Sequence, residues 1–224
     1  MTSREPSQYF SEQPRGTEVR RTITARIWGR ELPLITSSGV FAADGLDRGT
    51  AVLLRASPIP RGSPRILDLG CGYGPIALGV AVHCPGALVD AVDVNERALA
   101  LCRENAEALG VADRVRVLPP EQVDPETRYD EIWSNPPIRI GKQSLHEMLL
   151  TWLPRLTPDG VARLVVGKNL GSDTLQRWLI EQGYLCERVA SAKGFRVLVV
   201  RSQPDNFTPA EAPRAARKCT GPWS

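Results

Sequence analysis

From Arg65 to Arg201 short runs rich in Val, Ile and Leu alternate with helical patterns, and this alternation leaves few folds open to the chain. The segments read "RILDL", "IALGVAVHC", "ALVDAVDV", "ERALALCRENAEALG", "RVRVL", "YDEIW", "SLHEMLLTWLPRL", "GVARLVVG", "DTLQRWLIEQG", "YLCERVA" and "FRVLVV". Strand and helix in turn demand a mostly parallel α/β sheet covered on both faces, because each crossover helix must pack back onto the sheet. Upstream, "EVRRTITARIWG" sets Val19, Arg21, Ile23, Ala25 and Ile27 against Arg20, Thr22, Thr24 and Arg26, the period-2 signature of a half-buried strand. "RELPLIT" is expected to pair with it across a turn near Gly29. A helix is expected from about Asp47, whose carboxylate suits an N-cap. The expected organisation is an N-terminal arm and β-hairpin over 1–46, an α/β domain over 47–201, and a disordered tail over 202–224, where four prolines accompany no periodicity.

Composition narrows the chemistry. At 224 residues and 42% hydrophobic content, one sizeable core is affordable and two are not. The net charge of +3 conceals an uneven distribution: residues 1–30 hold six arginines against three acids, and 201–224 hold four basic groups against two acids. The five cysteines are odd in number and form no C-x-x-C pair, which points to reduced thiols in a cytoplasmic protein. With only His83 and His146 as imidazoles, no metal site is expected. No stretch has the apolar length of a signal peptide or membrane span, so no membrane partner is expected.

Two motifs carry the chemistry. "ILDLGCGYGPIAL" sets Asp68, Gly70, Gly72 and Gly74 at every second position between the first sheet strand and a helix opening at Pro75. Such glycines allow close backbone approach to a ligand, and the helix start offers unpaired N–H groups. The spacing is G-x-G-x-G, not the G-x-G-x-x-G of dinucleotide binders, and a packing turn is the alternative. One strand later Asp93 ends "ALVDAVDV", where an acid can grip ribose hydroxyls, with Asp90 inside the strand as a buried or edge partner.

The second motif is "SNPPIRIGK". Two prolines end a buried strand and stiffen the chain immediately after Asn135. An exocyclic amine on a base is a poor nucleophile because its lone pair is delocalised into the ring. Two acceptors aimed at its hydrogens, the Asn135 amide oxygen and a carbonyl fixed by Pro136 and Pro137, favour a pyramidal nitrogen. A strand-terminating turn is the alternative.

Together these residues resemble the class I S-adenosylmethionine-dependent methyltransferases over about residues 47–201. The resemblance implies a Rossmann-like fold with a seven-stranded, mostly parallel sheet, and S-adenosyl-L-methionine as cofactor. It places Asp68, Gly70, Gly72 and Gly74 under the methionine part and Asp93 on the ribose. The adenine-contacting position departs from the family, since "LPPEQV" follows the third strand where an Asp is common, and Glu121 is the nearest candidate. With "YFSEQP", "GVFAADGLDRGTAVLL", "NPPIRIGK" and "KGFRVL", the text is similar to single-domain relatives of the RsmC-type ribosomal RNA guanine-N2 methyltransferases, the methyltransferase small domain group. Those enzymes proper carry a duplicated N-terminal domain with no counterpart in these residues.

That likeness implies methylation of the N2 amine of a guanine in ribosomal RNA, small-subunit RNA first, free or in the ribosomal subunit, by a monomer or weak dimer. Ile138 stands where many relatives place a base-stacking aromatic, and Phe41 is a candidate for the missing face. Arg139, Lys142 and Lys168 are candidates for phosphates beside the target nucleotide, with Arg20, Arg21 and Arg26 extending the track. The rival enzymes are an adenine-N6 methyltransferase on DNA or RNA and a release-factor glutamine methyltransferase. A catalytically silent RNA-binding module is the rival from outside enzymology.

Overall fold

The two residues joining β1 (Arg20–Ile27) to β2 (Arg30–Ser37) set the geometry of the N-terminal hairpin. Trp28 and Gly29 have φ of 44° and 87°, the type I′ turn whose twist matches that of antiparallel strands. A tryptophan resists positive φ, and here its ring is restrained from several sides. Its Nε1 donates to the Ser57 carbonyl at 3.2 Å, and the ring meets Trp133 and His83 edge-on at 6.0 and 5.3 Å. The computed structural model describes residues 19–40, 42, 45–136 and 141–203.

After α1 (Arg48–Ala56), the chain alternates β3 (Arg65–Leu69), α2 (Pro75–His83), β4 (Leu88–Val92), α3 (Glu96–Ala108), β5 (Val115–Leu118), β6 (Tyr129–Ser134), α4 (Lys142–Trp152), β7 (Leu156–Gly167) and α5 (Ser172–Glu181). It closes with β8 (Tyr184–Ala192) and β9 (Phe195–Ser202). The sheet has seven strands in the order β5-β4-β3-β6-β7-β9-β8. All neighbours are parallel except those of β9, which runs antiparallel between β7 and β8. The reason is local: Lys193 and Gly194, at φ of 49° and 82°, form another two-residue hairpin turn between β8 and β9.

Each sheet face carries its own core. The hairpin, α1, α2 and α3 cover one face, with Ala25, Ile27, Leu32 and Leu34 packed into the same cluster as Leu53, Ile76 and Leu101. On the other face α4 and α5 pack through Leu145, Leu149, Trp152, Leu175 and Leu179. The hairpin is therefore part of the domain's hydrophobic core. Asn105, fully buried on α3, ties it down further. Its Oδ1 accepts from Ile35 N at 2.7 Å, and its Nδ2 donates to Ile35 O at 2.8 Å and Tyr73 O at 3.0 Å. One side-chain amide thereby satisfies the open edge of β2 and anchors the glycine-rich loop.

Asp90 is the buried partner its place in the strand implied. It accepts from Arg116 Nε and Nη2 at 2.8 Å each and from the Tyr129 hydroxyl at 2.8 Å, a charge-assisted pairing that leaves it no role at the sheet edge. Cys71, Cys84, Cys102 and Cys186 are buried and unbridged. Among the described residues no helix is long and apolar enough to cross a membrane, and no cluster has the composition of a metal site.

Candidate active site

The order in which strands are added to the sheet reverses at the parallel neighbours β3 and β6, and the crevice outside their carboxyl ends is the switch point at which open α/β sheets bind ligands. Both motifs emerge there side by side. The buried Ser134 hydroxyl donates to Leu69 O at 2.7 Å and locks the two strand ends together.

The glycine-rich turn is held by hydrogen bonds as well as by packing. Gly70 N and Cys71 N both donate to Val92 O at 2.8 and 2.9 Å, and Gly72 N donates to Asp93 Oδ2 at 2.8 Å. The other Asp93 oxygen accepts from Asn95 N at 2.9 Å. Asn95 in turn caps α3 and donates to Gly39 O at 3.1 Å, drawing the end of the hairpin beside Asp93. The three glycines have different reasons to be glycine. At Gly70 and Gly72, with φ of 78° and 56°, a Cβ would point into open space. At Gly74 a Cβ would strike Cys102 Sγ at 2.7 Å and Leu78 Cδ1 at 2.9 Å, so that position serves the close packing of loop on α3.

Asp68 lies fully buried behind this turn. Its Oδ2 accepts from Ala77 N at 2.9 Å, while Oδ1 has no hydrogen-bond partner among the described residues. Burial, with a smaller contribution from the Asp93 charge, pushes its carboxyl up to about 7. Burial also raises Asp93, opposed by the backbone N–H groups around it. A buried and a half-buried carboxylate, both with raised affinity for protons, suit a cationic ligand, whose charge would replace the proton.

Asn135 follows β6 directly. Its Nδ2 donates to Asp47 Oδ2 at 2.7 Å and to Thr50 Oγ1 at 3.1 Å. Asp47 is the N-cap of α1 as expected, with the same Oδ2 accepting from Thr50 N at 2.9 Å. Since a carboxylate can only accept, the amino end of the Asn135 amide is the end that meets Asp47, and Oδ1 is left as an acceptor. The sequence reading linked Asp47 to its helix alone and missed this pairing, which joins residues 88 positions apart.

Pro136 is buried after Asn135, whereas Phe41, Pro137, Ile138 and Arg139 lie outside the described residues. Glu121 sits exposed in the short turn after β5, Lys142 exposed at the start of α4, and Lys168 exposed just beyond β7, all at the carboxyl edge of the sheet. The hairpin arginines divide. Arg20, ion-paired with Glu104 at 2.9 Å, lies at the end near Ser38 and the crevice. Arg26 lies beside the Trp28 turn at the opposite end, roughly 20 Å away along the strand. A continuous phosphate track along the hairpin is therefore not what the geometry provides.

A family model, methyltransferase small domain, matches residues 31–199. Among curated relatives, the uncharacterized protein YbxB of Bacillus subtilis (strain 168) is 31% identical over 193 residues, covering 85% of this chain and 96% of YbxB. Ribosomal RNA small subunit methyltransferase C of Shewanella loihica is 31% identical over 153 residues, 66% of this chain and 44% of that protein. The release factor glutamine methyltransferase of Bordetella pertussis is 46% identical over 89 residues, 38% of this chain and 32% of that one. Among solved structures, the T. thermophilus 16S rRNA N2 G1207 methyltransferase RsmC, in complex with AdoMet and guanosine, superposes with a TM-score of 0.71 at 27% identity. The match covers 82% of this chain and 51% of RsmC. The chain thus spans about half the length, or less, of the RsmC and release factor methyltransferases it matches.

Proposed function

The chain belongs to the methyltransferase small domain family and is an S-adenosylmethionine-dependent methyltransferase, and from that premise we propose that it methylates the exocyclic N2 amine of a guanine in ribosomal RNA, small-subunit RNA foremost. One observation carries the amine acceptor: Asn135 is pinned with its amino group on Asp47 and its Oδ1 available at the mouth of the crevice. Likeness to RsmC, on both sequence and structure, supports guanine and ribosomal RNA.

The cofactor supplies a methyl group on a cationic sulfonium, whose sulfur keeps the bonding pair when the methyl departs. Gly70 and Gly72 would leave room for its methionine part, the charge of Asp68, whose Oδ1 has no hydrogen-bond partner among the described residues, would favour its cationic end, and Asp93 and Glu121 would hold the ribose and adenine. Gly74 keeps the turn on α3. The Asn135 Oδ1 and a backbone carbonyl fixed by the prolines that follow it would accept the two amine hydrogens. The nitrogen lone pair then forms the N–C bond, and the amine releases one proton to solvent. The roles we propose, by likeness to the family, are contact with the base for Ile138 and Phe41 and contact with adjacent phosphates for Arg139, Lys142 and Lys168.

A glutamine side-chain amide is the second reading, favoured by the 46% identity over 89 residues to a release factor glutamine methyltransferase. Incubation with methyl-labelled cofactor and, separately, small-subunit RNA, assembled subunit and release factor tells these apart. Label in a dimethylated or monomethylated N2-guanosine nucleoside is the expected result. Label only in glutamine overturns the RNA substrate and retains the amine-acceptor site.

Asp68 makes a further expectation measurable. Between pH 4 and 7 the folded chain holds a proton that an unfolded Asp, titrating near 3.8, has released. Stability should therefore fall as pH rises through that window, by at most roughly 4 kcal/mol for three units of difference. Asp68→Asn should flatten this dependence and be the more stable form at pH 8, while binding S-adenosylmethionine more weakly. Thermal melts from pH 4 to 8 check the first part and calorimetric titration the second. Parallel melting curves for the two proteins would contradict it.

A further inference from the structure

We infer that Asp47 is the positioning residue that orients the Asn135 amide toward the substrate amine, with Thr50 as its second anchor. This rests on Asn135 being the amine acceptor. Both N–H bonds of Asn135 Nδ2 are spoken for, one by Asp47 Oδ2 at 2.7 Å and one by Thr50 Oγ1 at 3.1 Å. Turning the amide over would set its carbonyl oxygen against a carboxylate oxygen at the same distance, with no hydrogen between them. The orientation needed for catalysis is thus the only one the site accepts, and it is established before any substrate arrives.

Two further observations point the same way. Gly49 is buried in the first turn of α1, where an alanine would ordinarily be the better helix former. A Cβ there would stand 2.9 Å from Asp47 Oδ2 and 3.0 Å from the Phe195 ring. The carboxylate reaches Asn135 because Gly49 leaves it space, while Phe195 closes the outer side. Asp47 also reaches toward the glycine-rich loop: after burial, its charge is what raises the hydroxyl of Tyr73, which itself donates to Gly45 O at 3.1 Å. One half-buried carboxylate therefore links the helix cap, the amine acceptor and the loop of the cofactor site.

The charge has a second effect. A carboxylate behind the amide polarises it, so that Oδ1 becomes a stronger acceptor as positive charge develops on the attacking nitrogen. Orientation and polarisation can be separated by substitution. Asp47→Ser keeps a helix cap, since serine bonds the same Thr50 N–H, but its side chain is too short to reach Asn135. Asp47→Asn keeps an oxygen for both contacts and removes the charge.

The experiment combines a substrate-free and a kinetic measurement. In nitrogen-15-labelled protein, the Asn135 side-chain NH₂ should give shifted, exchange-protected resonances, which Asp47→Ser should move to solvent-like values without loss of the folded spectrum. Single-turnover methylation by Asp47→Ser should fall about 10- to 100-fold at saturating cofactor and RNA, with both apparent affinities within about twofold of wild type. Asp47→Asn should recover part of that loss, and Gly49→Ala should reproduce part of it. Solvent-like Asn135 resonances in the wild type overturn the inference, as does a wild-type rate in Asp47→Ser. If the wild type methylates neither RNA nor release factor, the functional reading fails, and the resonances still decide whether Asp47 holds Asn135.

Discussion

Asn135→Ala should lower single-turnover methylation at saturating RNA by about 10²–10³, the scale of removing one pre-organised polar group from a transition state. Cofactor affinity should hardly change, because the Asn135 side chain bonds Asp47 and Thr50 rather than any group of the glycine-rich turn among the described residues. Asn135→Asp separates the geometric reading from a simpler one. From sequence alone it retains an acceptor, and partial activity is expected. In the structure the new carboxylate would face Asp47 Oδ2 across the present 2.7 Å contact, so two like charges would compete for one proton. Activity should fall at least as far as in the alanine variant. Adding Asp47→Asn should restore part of it, since it removes one of the two opposed charges. A rapid-quench assay on the four proteins measures the coupling. Additive losses would mean that the two side chains act separately, and a wild-type rate for Asn135→Ala would reduce "SNPPIRIGK" to a turn.

Gly72→Val should abolish detectable S-adenosylmethionine binding. Its effect has two physical sources that a second variant can divide. With φ at 56° and nothing within 4 Å of the missing Cβ, a side chain would enter the space offered to the ligand. A β-branched residue also resists that backbone region, at a cost of about 1–3 kcal/mol. The strain would be expected to pull Gly72 N away from Asp93, a bond of 2.8 Å that holds the turn against the end of β4. Gly72→Ala retains much of the strain with less bulk, so calorimetry should find weakened rather than absent binding. Asp93→Asn keeps an oxygen for only one of the Gly72 and Asn95 amides, turns an NH₂ toward the other and loses the charge, so it too should weaken binding. Equal affinity in wild type and Gly72→Val would remove the cofactor from this crevice.

The sheet was legible because its strands are short apolar runs separated by helix-length patterns, and because Asp47 stands where a cap is needed. The antiparallel place of β9 was less so: it follows from positive φ at Lys193, a residue with no special liking for that region. In the site, residues acting through local geometry could be read, such as Asp68 and the open glycines. Those acting across the fold could not. Gly74 looks identical to Gly72 in the alternating pattern, yet it faces Cys102. Nothing near Asn105 in sequence announces that its amide will pair with Ile35, and nothing near Asp47 announces Asn135. Pairings of this kind are set by where the sheet brings chain segments together, which periodicity does not encode.

Asn105 has a consequence for how the protein is made. The hairpin closes at residue 37, yet the amide that satisfies the edge of β2 lies 70 residues beyond Ile35. At roughly 5–20 residues per second of synthesis, several seconds separate the emergence of the edge from that of its partner. Throughout that interval a two-stranded ribbon, marginal by itself, presents an unpaired backbone edge and the apolar face of Ala25, Ile27, Leu32 and Leu34. Crowded ribosomes and strong promoters lengthen the exposure of many such ribbons to one another. Yield in soluble form should therefore depend more on chaperone supply and growth temperature than the stability of the finished molecule suggests.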